Sequence, residues 1–155
     1  MTADLSALLA QVPLAPLGPG SPVTDVRPEL DAVLPTLPLG CRAGLWLAFG
    51  YWKQAHEVAQ DLETPEGSFW HAILHRREPD PGNAKYWFRQ VGSHPVIAKL
   101  VAESLALGYD YRTPGDFVDF CEKVRDTATP AEEVARRVQA LEWRLLFDHC
   151  RTAAK

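Results

Sequence analysis

Proline decides what this chain can fold into. Seven of its thirteen prolines lie between Pro13 and Pro38, with Gly18 and Gly20 among them. A ring that fixes φ and removes an amide donor cannot recur inside one helix. The stretch is therefore expected to be a strap of irregular, polyproline-like chain with one short turn around 28–34. Val12, Leu14, Leu17, Val23, Val26, Leu30 and Leu37 give it apolar residues to pack, which argues against a disordered tail.

After Gly40 the prolines change role. Thr64-Pro65, Thr113-Pro114 and Thr129-Pro130 read as helix starts, with Asp80-Pro81 and Ser93-His94-Pro95 as two more. Threonine or aspartate can accept from the free amides of a first turn, and proline at the first helical position loses nothing because its missing N–H had no partner there. Glu132, three residues after Thr129, completes a capping-box pattern, and Asp116 after Thr113 is a weaker relative. Gly92 and Gly108 are candidate stops. These signals predict helices over roughly 3–11, 41–62, 65–78, 81–91, 95–107, 114–126 and 130–151. Phe117, Phe120, Cys121 and Val124 keep the i, i+3, i+4, i+7 spacing, as do Val134, Val138, Leu141 and Leu145. No segment alternates as a strand would. The expected class is all-α: a compact single-domain helical bundle or orthogonal helix array of about six to seven helices. Residues 1–40 would form a first helix plus the Pro-rich strap, and 41–155 the helical core.

A chain of 155 residues suits one domain with one core. Its formal net charge of −4 argues against a general binder of nucleic acid or membrane surfaces, which carries a basic excess. The longest apolar run, Leu45–Trp52, falls far short of the 18 or so residues that span a bilayer. Met1–Ala10 has an acid at Asp4 and no basic start, unlike a secretory leader. Cys41, Cys121 and Cys150 are odd in number and widely spaced, so they are expected to be free, buried thiols of a cytoplasmic protein.

Chemistry-bearing residues concentrate between 56 and 94, which holds four of the five histidines. On a helix 65–78, Phe69, Trp70, Ala72, Ile73 and Leu74 form a broad apolar arc. His71, His75 and Glu78 fall within about 60° of one another on the other side. Two histidines one turn apart can share a metal ion, with Glu78 as a further ligand or a base. His56 projects from the middle of the inner face of the preceding helix and could join them in a three-histidine site. Arg76 and Arg77 leave the flanks of the apolar arc, an unusual place for merely solvated arginines. The bland readings are a solvated His71–His75 pair, a core-satisfied His56, ion pairs of Arg76, Arg77, Glu78 and Asp80 pinning the turn at 78–81, a loop-shaping His94, and Trp70, Trp87 and Phe88 as core. His149 has no assigned role.

The motifs of several enzyme classes are missing. There is no G-x-S-x-G elbow, no phosphate-binding glycine loop, and no second histidine after His56-Glu57 to make a zinc-protease H-E-x-x-H.

The run Trp70-His71-Ala72-Ile73-Leu74-His75-Arg76-Arg77-Glu78-Pro79-Asp80, then Asn83-Ala84-Lys85-Tyr86-Trp87-Phe88 and Val91-Gly92-Ser93-His94-Pro95, resembles a signature in uncharacterised bacterial and fungal proteins, which also share Ala55-His56-Glu57. The resemblance covers about the middle third of the chain. It implies a common fold and a shared site, and it supplies no activity.

Two functional readings stand on these residues. The first is a metal-dependent enzyme, a hydrolase or isomerase acting on a small anionic molecule. His71, His75 and His56 would hold one divalent ion, with Glu78 or His56 as catalytic groups. Arg76, Arg77, Asp80, Asn83, Lys85, Trp87 and His94 would line the ligand site. The second is a metal-free protein that binds a small anionic ligand, with Trp70, Tyr86 and Trp87 walling the pocket. A structural or partner-binding helical module is the remaining alternative. It is disfavoured by the variety of polar types between 71 and 85, each costly to bury without a partner.

Overall fold

A computed structural model describes residues 4–153 of the chain. Among these residues there are nine α-helices, three short 3-10 turns and no strand. The helices are α1 (Leu5–Leu9), α2 (Arg27–Val33), α3 (Leu39–Ala48), α4 (Trp52–Asp61), α5 (Pro65–Arg77), α6 (Pro81–Val91), α7 (Pro95–Glu103), α8 (Pro114–Val124) and α9 (Pro130–Ala153). The start of the first predicted helix, at Ala3, lies outside the described residues.

The proline starts form as their chemistry dictates. Thr64 Oγ1 accepts from Gly67 N at 3.1 Å, Asp80 Oδ1 from Asn83 N at 3.2 Å, and Thr113 Oγ1 from Asp116 N at 3.1 Å. Thr129 Oγ1 accepts from Glu132 N at 3.3 Å. Glu132 departs from the capping box: its carboxylate reaches back past Thr129 to the amides of Asp126 and Ala128. Both of those residues have positive φ, so this carboxylate holds the tight α8–α9 connection together.

The structure corrects the predicted helices in three places. The helix expected over 41–62 is two helices, broken at Gly50, whose φ is +81°. A Cβ there would stand 2.2 Å from the Ser21 carbonyl oxygen, so the glycine is where the strap, the irregular segment 12–23, docks. The short turn expected near 28–34 is a full helix, α2, because Pro28 sits in its first turn where no intrahelical bond is lost. The segment after Glu103 tightens into a 3-10 turn, Ser104–Leu107, before Gly108 ends it at φ +94°.

α5 is the hub and packs on α3, α4 and α6, while α9 closes the other side against α3, α7 and α8. α3 approaches its neighbours closely because it is small-sided. A Cβ on Gly44 would lie 2.8 Å from the Trp70 ring, and one on Gly40 would lie 2.8 Å from Cys150 Sγ. Trp70 and Phe69 are fully buried and anchor a contiguous apolar core that also takes in Leu8 and Leu17 from the N-terminal segment. The three cysteines are free and buried. No helix among the described residues is long and apolar enough to cross a membrane.

Candidate metal centre

His56 comes from α4, and His71 and His75 from successive turns of α5. The two helices pack together across a short connection at 62–64, which brings His56 to the α5 pair. One ring nitrogen from each of the three lies within 4.8 Å of the others. Ring centroids are 4.8 Å apart for His56–His71 and His71–His75, and 5.8 Å for His56–His75.

The rings are held from outside. Trp52, one turn before His56 on α4, stacks on its imidazole at 5.0 Å and 9°. Trp87 of α6 stacks on His71 at 4.1 Å and 20°. Glu78 Oε2 lies 2.8 Å from His75 Nδ1. A carboxylate only accepts, so Nδ1 carries a proton and donates it to Glu78. That carboxylate–histidine contact is the arrangement that fixes ring orientation in metal sites and strengthens the ligand.

The electrostatics keep two of the imidazoles neutral, the form that can ligate an ion. Burial first, and then the neighbouring His75 and His56, push His71 down to about 4. His56 is lowered by burial and by His75, a shift that Glu78 and Glu57 partly offset. The indole N–H of Trp52 is buried and has no acceptor among the described residues.

His71 is 6% exposed, not on a solvated face as the helical wheel suggested, because α6 lays Trp87 across it. Of the remaining predicted residues, Asp80 lies at the edge of the centre, its carboxylate within 4.8 Å of ligand atoms of His75 and Glu78, and the others turn away. Arg76 is fully buried on the far side of α5, where Glu142 takes two of its N–H groups at 2.9 and 2.6 Å and Gln139 takes a third contact at 3.2 Å. It is a core ion pair, not a ligand clamp. Arg77 turns toward the strap and donates to the carbonyls of Gly18 at 2.9 Å and Pro19 at 3.4 Å. Asp80 and Asn83 serve each other at the start of α6, the Asn83 side-chain amide donating to Asp80 Oδ2 at 2.9 Å. Lys85 pairs with Asp119 at 2.7 Å and ties α6 to α8.

His94 caps α7. Its Nδ1 accepts from Val96 N at 3.1 Å, so its proton is on Nε2, which donates to Glu66 Oε2 at 2.7 Å. His149 lies 3.6 Å from the same carboxylate oxygen and 4.6 Å, ring to ring, from His94. Glu66, His94 and His149 form a second compact group. Both nitrogens of His94 are already engaged there, which leaves the first cluster as the better cation site. Sequence reasoning missed Trp52, Glu66 and His149. The i, i+4 spacing of Trp52 and His56 could have revealed the first. Nothing local could have brought His149 of the last helix to Glu66.

A groove of about 410 Å³ opens beside the centre, where α4, the start of α5 and α6 meet. Gln60, Glu63, Thr64, Ser68, Trp87 and Gln90 line it, and no lysine or arginine does. Ser68 precedes His71 by one turn, and Trp87 is the residue stacked on that histidine.

In comparisons with protein-family models, curated proteins and solved structures, the chain matches none.

Proposed function

We propose that this protein is a metal-dependent enzyme whose divalent ion is held by His56, His71 and His75. One observation carries the reading: three imidazole nitrogens lie within 4.8 Å of one another, and the ring of His75 is held at Nδ1 by Glu78. Three imidazole donors on two helices suit zinc, with Zn–N bonds of about 2.0–2.1 Å and a fourth position left open.

An open position on zinc carries water, whose pKa falls to about 7 there. Held by His56, His71 and His75, such an ion would supply an activated water at its open position, and hydrolysis is the simplest reaction that this would serve. The orphan Trp52 N–H beside His56 supports a missing acceptor at the site. The adjoining groove, with amide and hydroxyl groups, the Glu63 carboxylate and one aromatic plane, suits a small polar substrate without a formal negative charge.

Elemental analysis of protein purified without chelator tests this. The expected result is about one zinc per chain, lost with His71→Ala. Cobalt(II) added to the metal-free protein is expected to give the intense visible absorption of a four-coordinate site. Protein that carries no transition metal and gives no saturable cobalt spectrum overturns the reading.

A further inference from the structure

α5 carries a second set of features roughly 120–160° around its axis from the histidines, by the 100° step of a helix. The side chain of Arg77 is there, and Arg77 is 3% exposed. Its neighbour Arg76 has a carboxylate of its own in Glu142. Arg77 has no carboxylate within ion-pair distance among the described residues, and its two hydrogen bonds go to neutral carbonyls of the strap. The region thus holds two buried guanidinium groups and one buried carboxylate. Burial, and then the charge of Arg76, lower Arg77 to about 10, which still leaves it cationic near neutral pH. A buried charge without a counter-charge is costly unless something supplies one.

Arg77 also lines an unfilled space. A cavity of about 60 Å³ lies between the strap and the core, walled by Val12, Leu47, Ile73, Ala140 and Trp143. A second, of about 80 Å³, shares Pro13, Ala15, Leu47, Ala48 and Arg77 with it. The other polar groups at the first cavity are engaged. Gln139 donates to Pro16 O and accepts from Arg76, and the Trp143 indole donates to Gly44 O at 2.7 Å. What remains is one cation in an apolar chamber.

We infer that this chamber beneath the strap is a binding site for a short-chain aliphatic carboxylate, its head on Arg77 and its hydrocarbon against Leu47, Ile73 and Trp143. The remaining guanidinium N–H groups match a carboxylate's two oxygens. The smaller cavity, about 60 Å³, has room for about four to six water-sized groups at roughly 10–15 Å³ each, which spans the size of propionate and isobutyrate. Phosphate is the wrong ligand for these walls, because its other oxygens would face hydrocarbon without donors. The site is separate from the histidine centre, and each can exist without the other.

Calorimetric titration of the full-length protein with isobutyrate, with the isosteric neutral isobutyramide, and with inorganic phosphate tests it. Isobutyrate is expected to bind saturably, and the amide about tenfold to a hundredfold more weakly, the factor a charge-assisted contact gives. Arg77→Met is expected to weaken isobutyrate by a similar factor. So is Ala140→Phe, which keeps the guanidinium and blocks the chamber from an exposed position on α9. His71→Ala should leave isobutyrate affinity unchanged while removing metal, so a failure of either assignment is visible without the other. Should Arg77→Met fail to fold, the Ala140→Phe variant decides. No saturable isobutyrate binding, equal binding of the amide, tighter binding of phosphate, or indifference to Ala140→Phe overturns the inference.

Discussion

Arg76 and Glu142, 66 residues apart in sequence, meet in a two-pronged ion pair with neither side chain exposed to solvent. The pair joins the last turn of α5 to the middle of α9. Breaking it from one side leaves a bare buried charge, and keeping it intact repays the desolvation only through its hydrogen bonds. Glu142→Ala and Arg76→Ala are each expected to cost roughly 3–5 kcal/mol in urea unfolding. The double variant Arg76→Met, Glu142→Leu is expected to recover most of that loss. If the two single changes are mild and add without coupling, the pair is not the strut that its geometry describes.

Glu78 holds the ring of His75 through Nδ1 at 2.8 Å, the contact through which it would act on a bound ion. Its side chain is 45% exposed, so removing its charge leaves the fold intact. Glu78→Gln is expected to lower zinc or cobalt affinity roughly tenfold to a hundredfold, the usual effect of losing the carboxylate behind a metal-bound histidine. The thermal midpoint of the metal-free protein should hardly move. Competition against a chromophoric chelator reads the affinity directly. An unchanged affinity would mean that the His75–Glu78 contact only closes the end of α5.

The helical class and the proline-capped starts could be read from the chain because their causes are local: a proline, a capping oxygen three residues before an amide, an apolar repeat. The three histidines could also be read, since spacing alone sets His71 against His75 and a short connection sets α4 beside α5. The partition of the polar run could not. Arg76, Arg77, Asp80 and Lys85 neighbour the histidines in sequence, yet each takes a different partner: Glu142 on α9, the strap, the first turn of α6, and α8. Those partners are set by packing between elements far apart in the chain. The break at Gly50 was hidden for the same reason, because its cause is the Ser21 carbonyl pressed against it.

The three thiols give a prediction in alkaline solution. Burial raises Cys41 and Cys121 to about 11 and Cys150 to about 12, each from 9.0. The thiolate is the reactive form, so native protein at pH 8 is expected to resist alkylation while unfolded protein is labelled at all three positions. The linked effect on stability has a definite sign. The folded state keeps its thiol protons where the unfolded chain loses them, so this contribution is full below pH 9 and is lost as pH rises from 9 towards 12. Unfolding midpoints across that window, compared with those of a Cys121→Ser variant, measure the share from one thiol. Rapid labelling of the native protein at pH 8 would show that the thiols are open to solvent.

The strap is held at two places that can be tested against each other. Gly50 lets the α3–α4 break accept the Ser21 carbonyl, and beside it Val23 N donates to Phe49 O at 2.8 Å. Further along, Arg77 grips Gly18 and Pro19. An alanine at position 50 meets two penalties at once: a positive φ that its Cβ disfavours, and a backbone oxygen where the Cβ must go. Relieving the second means pushing the strap off the core, which takes Leu17 and Val26 with it, both buried. Gly50→Ala is therefore expected to lose roughly 3 kcal/mol, more than the 1 kcal/mol or so of backbone strain alone. It should expose residues 13–22 to proteolysis and abolish carboxylate binding at Arg77, while zinc stays on the histidines on the other side of α5. A loss limited to the backbone term, with the strap still protected, would mean that Ser21 and Gly50 can part without cost and that Arg77 alone secures the segment.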